Sequence, residues 1–262
     1  MDAEALMSST AMSAPKAERI VCTAVGLAAA VFLARHASLF FPNANGHLGH
    51  DYSYFVPTLV AGYFWQQHNG WLAPPYFTPA FCGGMPFLAN PQSVFFSVPQ
   101  LLLRVLEPTT ATFATLLVSA GIGAAGTYIL LRRYCHTSAS AATLGAALFL
   151  LNGFLFYRLV IGHLTYHAFA IVPLFACVVV SSHRASWSTA TQAAHHFLMR
   201  VVLGGLLVAY VTYGGALNLE IPVVLAVACT LLMVQIERGF HSVPWLVLGA
   251  SCLWGTVISA LK

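Results

Sequence analysis

TATFATLLVSAGIGAAGTYILL, residues 110–131, carries no charged side chain. As a helix rising 1.5 Å per residue it would reach roughly 33 Å, enough to cross a hydrocarbon core of about 30 Å. In lipid the backbone has no water to bond, so a run of this kind satisfies its own amides as a helix. Gly121, Gly123, Ala125 and Gly126 give it a small-residue face on which another helix can pack. The next run repeats the device with Ala139, Ala142, Gly145 and Ala146.

Working outward, six more runs have a similar character, at roughly 20–41, 138–158, 164–182, 199–217, 221–237 and 243–261. The expected fold is all-α: a polytopic transmembrane helix bundle of about seven spans. Composition agrees, with 59% hydrophobic and only 7% charged residues, against about 25% charged in soluble domains. The net charge of +4 comes from scattered basic residues and excludes a nucleic-acid surface. The cysteines form no CxxC pair and mostly sit inside apolar runs, as small buried side chains do.

Residues 1–18 are rich in Ser, Ala and Met and read as a disordered cytoplasmic N-terminus; residues 19–262 read as one transmembrane domain. The last run reaches Lys262 without a cap or polar tail, as expected of the front part of a longer membrane protein. Orientation follows from Lys and Arg. With the N-terminus inside, Lys16, Arg19, Arg132, Arg133, Arg184, Arg200 and Arg238 fall on the cytoplasmic side, and Arg104, Arg158 and Lys262 outside. This places the long loop 42–109 on the outer face. The loop is rich in aromatic residues, including Tyr63, Phe64, Trp65, Trp71 and Phe95. Short interfacial helices are expected over 54–66 and 91–106, separated by turns at Asn69-Gly70, Pro74-Pro75 and Gly83-Gly84.

Three polar groups stand out in so apolar a chain. Asp51, in GHLGHDYSYF (46–55), is the only acid between Glu18 and Glu107. A carboxylate beside a membrane exit is either solvated or held for a purpose such as accepting a proton. His47, His50 and Asp51 have the spacing of one helix face and leave a divalent metal open, although Gly46 and Gly49 oppose a helix there. The second group is Arg158, His163, Tyr166 and His167, an outer hairpin that either holds a phosphate or consists of a snorkelling arginine with interfacial histidines. The third is Asn218 and Glu220 in YGGALNLEIPVV, where Glu220 either ends a helix in solvent or pairs with Arg158. Walker A, GxSxG and HExxH motifs are absent.

HDYSYF (50–55), CGGMPFLANPQSVFFSVPQLLL (82–103), GHLTYHAFAIVPL (162–174) and YGGALNLEIP (213–222) together resemble the GT-C superfamily of membrane glycosyltransferases, and within it the YfhO-like bacterial proteins. Asp51 matches an acid that family members carry in the first outer loop. Gly84, Pro86, Asn90, Pro91, Gln92, Phe96 and Pro99 match a G-x-P, N-P-Q, aromatic, proline pattern. Members often show two neighbouring acids where this chain has one, and full-length members have more spans.

The resemblance implies a mechanism. A sugar on a polyprenyl phosphate, presented at the outer face of a bacterial cytoplasmic membrane, passes with inversion to an acceptor hydroxyl on a glycan, lipid or protein. Asp51 is then the general base. Arg158, His163, Tyr166, His167, Asn218, Glu220, Asn90 and Gln92 bind substrate, Lys262 being a further cation for the lipid phosphate. The resemblance fixes no cofactor and leaves a divalent metal open. Two other classes compete: a transporter or flippase of a lipid-linked substrate, which repeats or broken helices in matching halves would favour, and a non-catalytic scaffold, in which Asp51, His163 and Glu220 lie apart.

Overall fold

The structure, a computed structural model, describes Ile20, residues 23–28, Val31, Arg35 and residues 50–184, 189–260 and 262. The expected N-terminal tail, most of the expected span 20–41, and His47 of the proposed metal trio lie outside the described residues.

Helix α1 (Tyr52–Asn69) follows Asp51 directly and ends at Gly70; it is longer than the helix expected over 54–66. A two-residue antiparallel hairpin, β1 (Phe77–Thr78) with β2 (Met85–Pro86), encloses the short α2 (Ala80–Gly83). Helix α3 covers only Val98–Leu102, so most of the helix expected over 91–106 is turns. Phe55 and Leu59 of α1 join Val94, Leu103, Ala111, Leu116 and Leu164 in a small core that seats the loop on the bundle.

Helix α4 (Pro108–Ile129) begins with proline, which suits a first turn because it lacks the amide hydrogen left unbonded there. It continues through a π-helical turn, Leu130–Tyr134. Helix α5 (Ala139–Leu150) is capped by Ser138, whose hydroxyl accepts the Ala141 N–H at 3.2 Å.

The span expected over 138–158 is not one helix. It stops at Leu150 and restarts as α6 (Gly153–Val160). At the break the Asn152 amide donates to the Phe149 carbonyl, taking a helix-end acceptor, and Gly153 follows, a poor helix former. A 3₁₀ segment (Leu164–Ile171) leads into α7 (Val172–Ser181), then come α8 (Ala190–Tyr213), α9 (Glu220–Arg238) and α10 (Ser242–Ser259).

Among the described residues five helices are long and apolar enough to cross a membrane: Pro108–Tyr134, Leu164–Ser181, Ala190–Tyr213, Leu217–Arg238 and Ser242–Ser259. Seven were expected; the other two are the run largely outside the described residues and the broken one. Leu164–Ser181 is 72% buried against 28–33% for the other four, which makes it the central helix. Its Phe175, Val179 and Val180 meet Val208, Val227 and Leu231 in the main core. Helices α8 and α10 pack tightly because glycine lines their contact: a Cβ on Gly205 would meet the Trp254 ring at 2.4 Å, and one on Gly255 would meet Val208 at 2.6 Å.

The two ends of the bundle differ in chemistry. At one, arginines cover carbonyls left over at helix ends: Arg132 donates to the Thr137 carbonyl at 2.9 Å, Arg200 to the Ser181 hydroxyl at 2.9 Å, and Arg238 to the Tyr134 carbonyl. The other end gathers residues 50–55, 90–93, 153–166 and 212–220.

Candidate functional site

Asp51 sits where a helix N-cap belongs, yet its carboxylate caps nothing. A capping aspartate is worth about 1 kcal/mol to a helix; here the carboxylate instead meets His163, with Oδ2 against Nε2. The backbone forces this meeting. The Asp51 N–H donates to the Ile161 carbonyl at 3.0 Å. Gly162 turns at φ +81°, and its missing Cβ would lie 2.5 Å from the Tyr52 nitrogen. His50 takes φ +53°, uncommon for a side chain, and its carbonyl accepts the Ser53 hydroxyl at 2.7 Å. Residues 50–53 and 161–163 are therefore clamped backbone to backbone.

Behind His163 stands Arg158, whose NH1 lies 2.8 Å from His163 Nδ1. The His163 N–H also donates to the Arg158 carbonyl at 2.9 Å. The guanidinium stacks on the Tyr166 ring at 4.4 Å, and the His163 and Tyr166 rings stack at 5.5 Å. The Asp51 side chain is 48% exposed and the His163 side chain 26%, so water reaches the acid while its partner is mostly covered.

His163 and Tyr166 line a cavity of about 500 Å³ together with Phe55, Gln92, Thr165 and Asn218. That volume lies within the range of small-molecule sites. Asn218 Nδ2 donates to the Tyr166 hydroxyl at 3.2 Å. Gly215, at φ +82°, lets the wall close: a Cβ there would lie 2.8 Å from the Gln92 carbonyl oxygen. Of the expected substrate-binding residues, His163, Tyr166, Gln92 and Asn218 come together here, with Arg158 and Asp51 attached through His163.

Three others do not join them. His167 is buried, with Nδ1–H donating to the Leu164 carbonyl at 2.7 Å and Nε2 accepting the Tyr210 hydroxyl at 2.8 Å. It ties the 3₁₀ segment to α8 and is not in the cavity wall. Asn90 spends its amide holding its own loop: Nδ2 donates to the Tyr54 hydroxyl at 2.8 Å, and Oδ1 accepts the Gln92 N–H at 2.9 Å.

Glu220 does not pair with Arg158. It accepts the Thr212 hydroxyl and lines a second, smaller cavity of about 210 Å³ with Thr256, Ser259 and Lys262. Lys262 donates to the Pro91, Ser93 and Thr212 carbonyls, strapping loop 90–93 to α8. Burial pulls its ammonium down to about 8, with the nearby Glu220 charge opposing the shift.

Thr165 is a site residue that sequence reasoning passed over; only its position two residues from His163 in the chain signals it. Among the described residues no three His, Cys, Asp or Glu side chains gather as a metal site. Compared with known proteins, the chain matches no family model, no curated protein and no solved structure.

Proposed function

We propose that this protein is a membrane glycosyltransferase of the GT-C type, which moves a sugar from a polyprenyl phosphate to an acceptor hydroxyl. Asp51 is the general base: it takes the hydroxyl proton as that oxygen attacks the anomeric carbon. The bond from that carbon to the lipid phosphate breaks on the opposite face, and the phosphate leaves with the electron pair, so the configuration inverts. One observation carries the reading. The imidazole that holds the half-exposed Asp51 carboxylate lines a roughly 500 Å³ cavity, whose wall also carries Tyr166 and the Gln92 and Asn218 amides. An aromatic face with neutral amides suits a sugar ring.

In this reading the arginine-bearing end faces the cytoplasm, by the excess of Lys and Arg on that side. The N-terminus is then cytoplasmic, and the cavity opens to the outer face of a bacterial cytoplasmic membrane. The expected seven spans include the run 20–41, and the broken run α5–α6 is a crossing that delivers Arg158 to the outer end. A pure scaffold would have no use for Asp51 and His163 in contact, which supports the catalytic reading over it.

The test is Asp51→Asn in membranes, with radiolabelled sugar on a polyprenyl phosphate as donor. Removing a general base is expected to cost about 10²–10⁴-fold in transfer rate. An unchanged rate refutes the proposal.

A further inference from the structure

We infer that His163 is locked between Arg158 and Asp51 in a single tautomer and serves as a fixed N–H donor to Asp51, neither as a base nor as a phosphate ligand. Its catalytic consequence rests on the glycosyltransferase reading; the tautomer does not.

The inference begins with what a guanidinium can do. Arginine has five donors and no acceptor. With Arg158 NH1 2.8 Å from His163 Nδ1, that nitrogen must be the acceptor. The ring proton then sits on Nε2, the atom that meets Asp51 Oδ2. A carboxylate only accepts, so the chain Arg158 to His163 to Asp51 has one consistent direction. The same logic gives His167 the opposite tautomer, since its Nδ1 faces a carbonyl and its Nε2 a tyrosine hydroxyl.

Arg158 is held in place for this task. Its guanidinium lies 4.4 Å from the Tyr166 ring centre and 5.3 Å from that of Phe154. Its Nε is buried and makes no hydrogen bond with the described residues. The charged and titratable groups around His163 are Asp51 from the start of α1, Arg158 with Tyr157 beyond it from α6, and Tyr166 from the 3₁₀ segment. A second proton on His163 would set an N–H against an N–H at 2.8 Å and a cation against a cation.

Two consequences follow. Once Asp51 has taken the acceptor's proton, His163 has no lone pair to receive it, because Nε2 already carries a hydrogen and Nδ1 is engaged. The proton leaves to water from Asp51, whose side chain is 48% exposed. With Nδ1 engaged by Arg158 and the Nε2 hydrogen given to Asp51, His163 has no N–H to offer the leaving phosphate. His163 is thus a positioning residue, fixing one carboxylate oxygen so that the other faces the acceptor.

The experiment is ¹⁵N NMR of the full chain with ¹⁵N-labelled histidine in lipid nanodiscs, with the His163 ring signals assigned by their loss in His163→Gln and, independently, in His163→Asn. The expected spectrum has Nε2 protonated and Nδ1 bare; in Arg158→Met the Nδ1 resonance moves as its hydrogen-bond donor is lost, while the Nε2 proton stays against Asp51. A proton on Nδ1, a doubly protonated ring, or an Nδ1 resonance indifferent to Arg158→Met overturns the inference. In the transfer assay His163→Gln, which still offers an N–H near the Nε2 position, is expected to lose less than His163→Ala. His163→Ala should lose roughly 10–100-fold, the worth of one hydrogen bond to a charged group. Equal loss in both variants overturns the donor role. Failure of the glycosyltransferase reading would show instead as an unchanged rate in Asp51→Asn, with the tautomer intact.

Discussion

Gly162→Ala strikes at the joint on which the site depends. Gly162 sits at φ +81°, and an added Cβ would lie 2.5 Å from the Tyr52 backbone nitrogen and 2.8 Å from its ring. A side-chain tip could rotate away, but a backbone nitrogen at the first turn of α1 cannot. Two costs add. Holding alanine in the left-handed region takes about 1–2 kcal/mol. Prising the two strands of chain apart weakens the bond from the Asp51 N–H to the Ile161 carbonyl, worth about 1 kcal/mol. The sum, about 2–3 kcal/mol, corresponds to a fall of roughly 4–12 °C in unfolding midpoint for a chain of this size.

Gly239→Ala is the matched control. That glycine has φ +90°, but nothing lies within 4 Å of its added Cβ, so only the conformational cost applies. The assay is tryptophan fluorescence of both variants in nanodiscs at one scan rate, with transfer activity measured alongside. Gly162→Ala should be the less stable, and it alone should lose activity, because Asp51 and His163 are no longer held together. Equal shifts in the two variants, or full activity in Gly162→Ala, would refute the clamp.

Further outcomes can be checked with the same preparations. The Arg104 guanidinium lies 3.4 Å from the Trp71 ring centre. Trp71→Ala should therefore cost about 0.5–1 kcal/mol, a shift of a few degrees, and leave transfer unaltered; no shift would mean the stack holds nothing. Lys262 titrates lower in the folded chain, at about 8, than its ordinary 10.5. Between those values the unfolded chain holds more protons than the folded one, so this group makes stability rise with pH across that window and contributes no slope below it. The stability of wild type relative to Lys262→Met should thus climb from pH 8 to pH 10; a flat difference would show that the ammonium is not desolvated.

How much of this was legible depends on the length scale of the signal. The crossing helices announce themselves as uncharged runs, and α4, α7, α9 and α10 lie close to their expected positions. Helix α8 starts at Ala190 and not near 199, because ATQAAHHFLM is a good helix former and Thr189 caps it by accepting the Gln192 N–H. Hydropathy does not register a polar first turn. Asp51, Arg158 and His163 were conspicuous as polar groups in an apolar chain, but their pairing was not. Asn90 and His167 looked available for substrate, yet each is satisfied by a tyrosine 36 or 43 residues away. Partners that distant follow from the fold, and no local pattern carries them.

The site exists because the third apolar run fails as a helix. Had residues 139–158 continued straight, Arg158 would stand roughly 12 Å further along the axis than Leu150, by helical rise alone. The break at Leu151 and Asn152 lets α6 begin anew, and the left-handed turn at Gly162 brings the chain back against Tyr52. Each departure costs something: a poor helix former in an apolar run, a glycine that cannot be replaced, a histidine at φ +53° beside the acid. Natural chains carry such departures where a geometry is needed that regular elements do not supply. Here two of them, His50 and Gly162, fall within the two short segments that meet at Asp51 and His163, and Asp51 forgoes its helix cap as well. The Asp51 carboxylate forgoes capping its own helix and meets instead an imidazole that an arginine already holds.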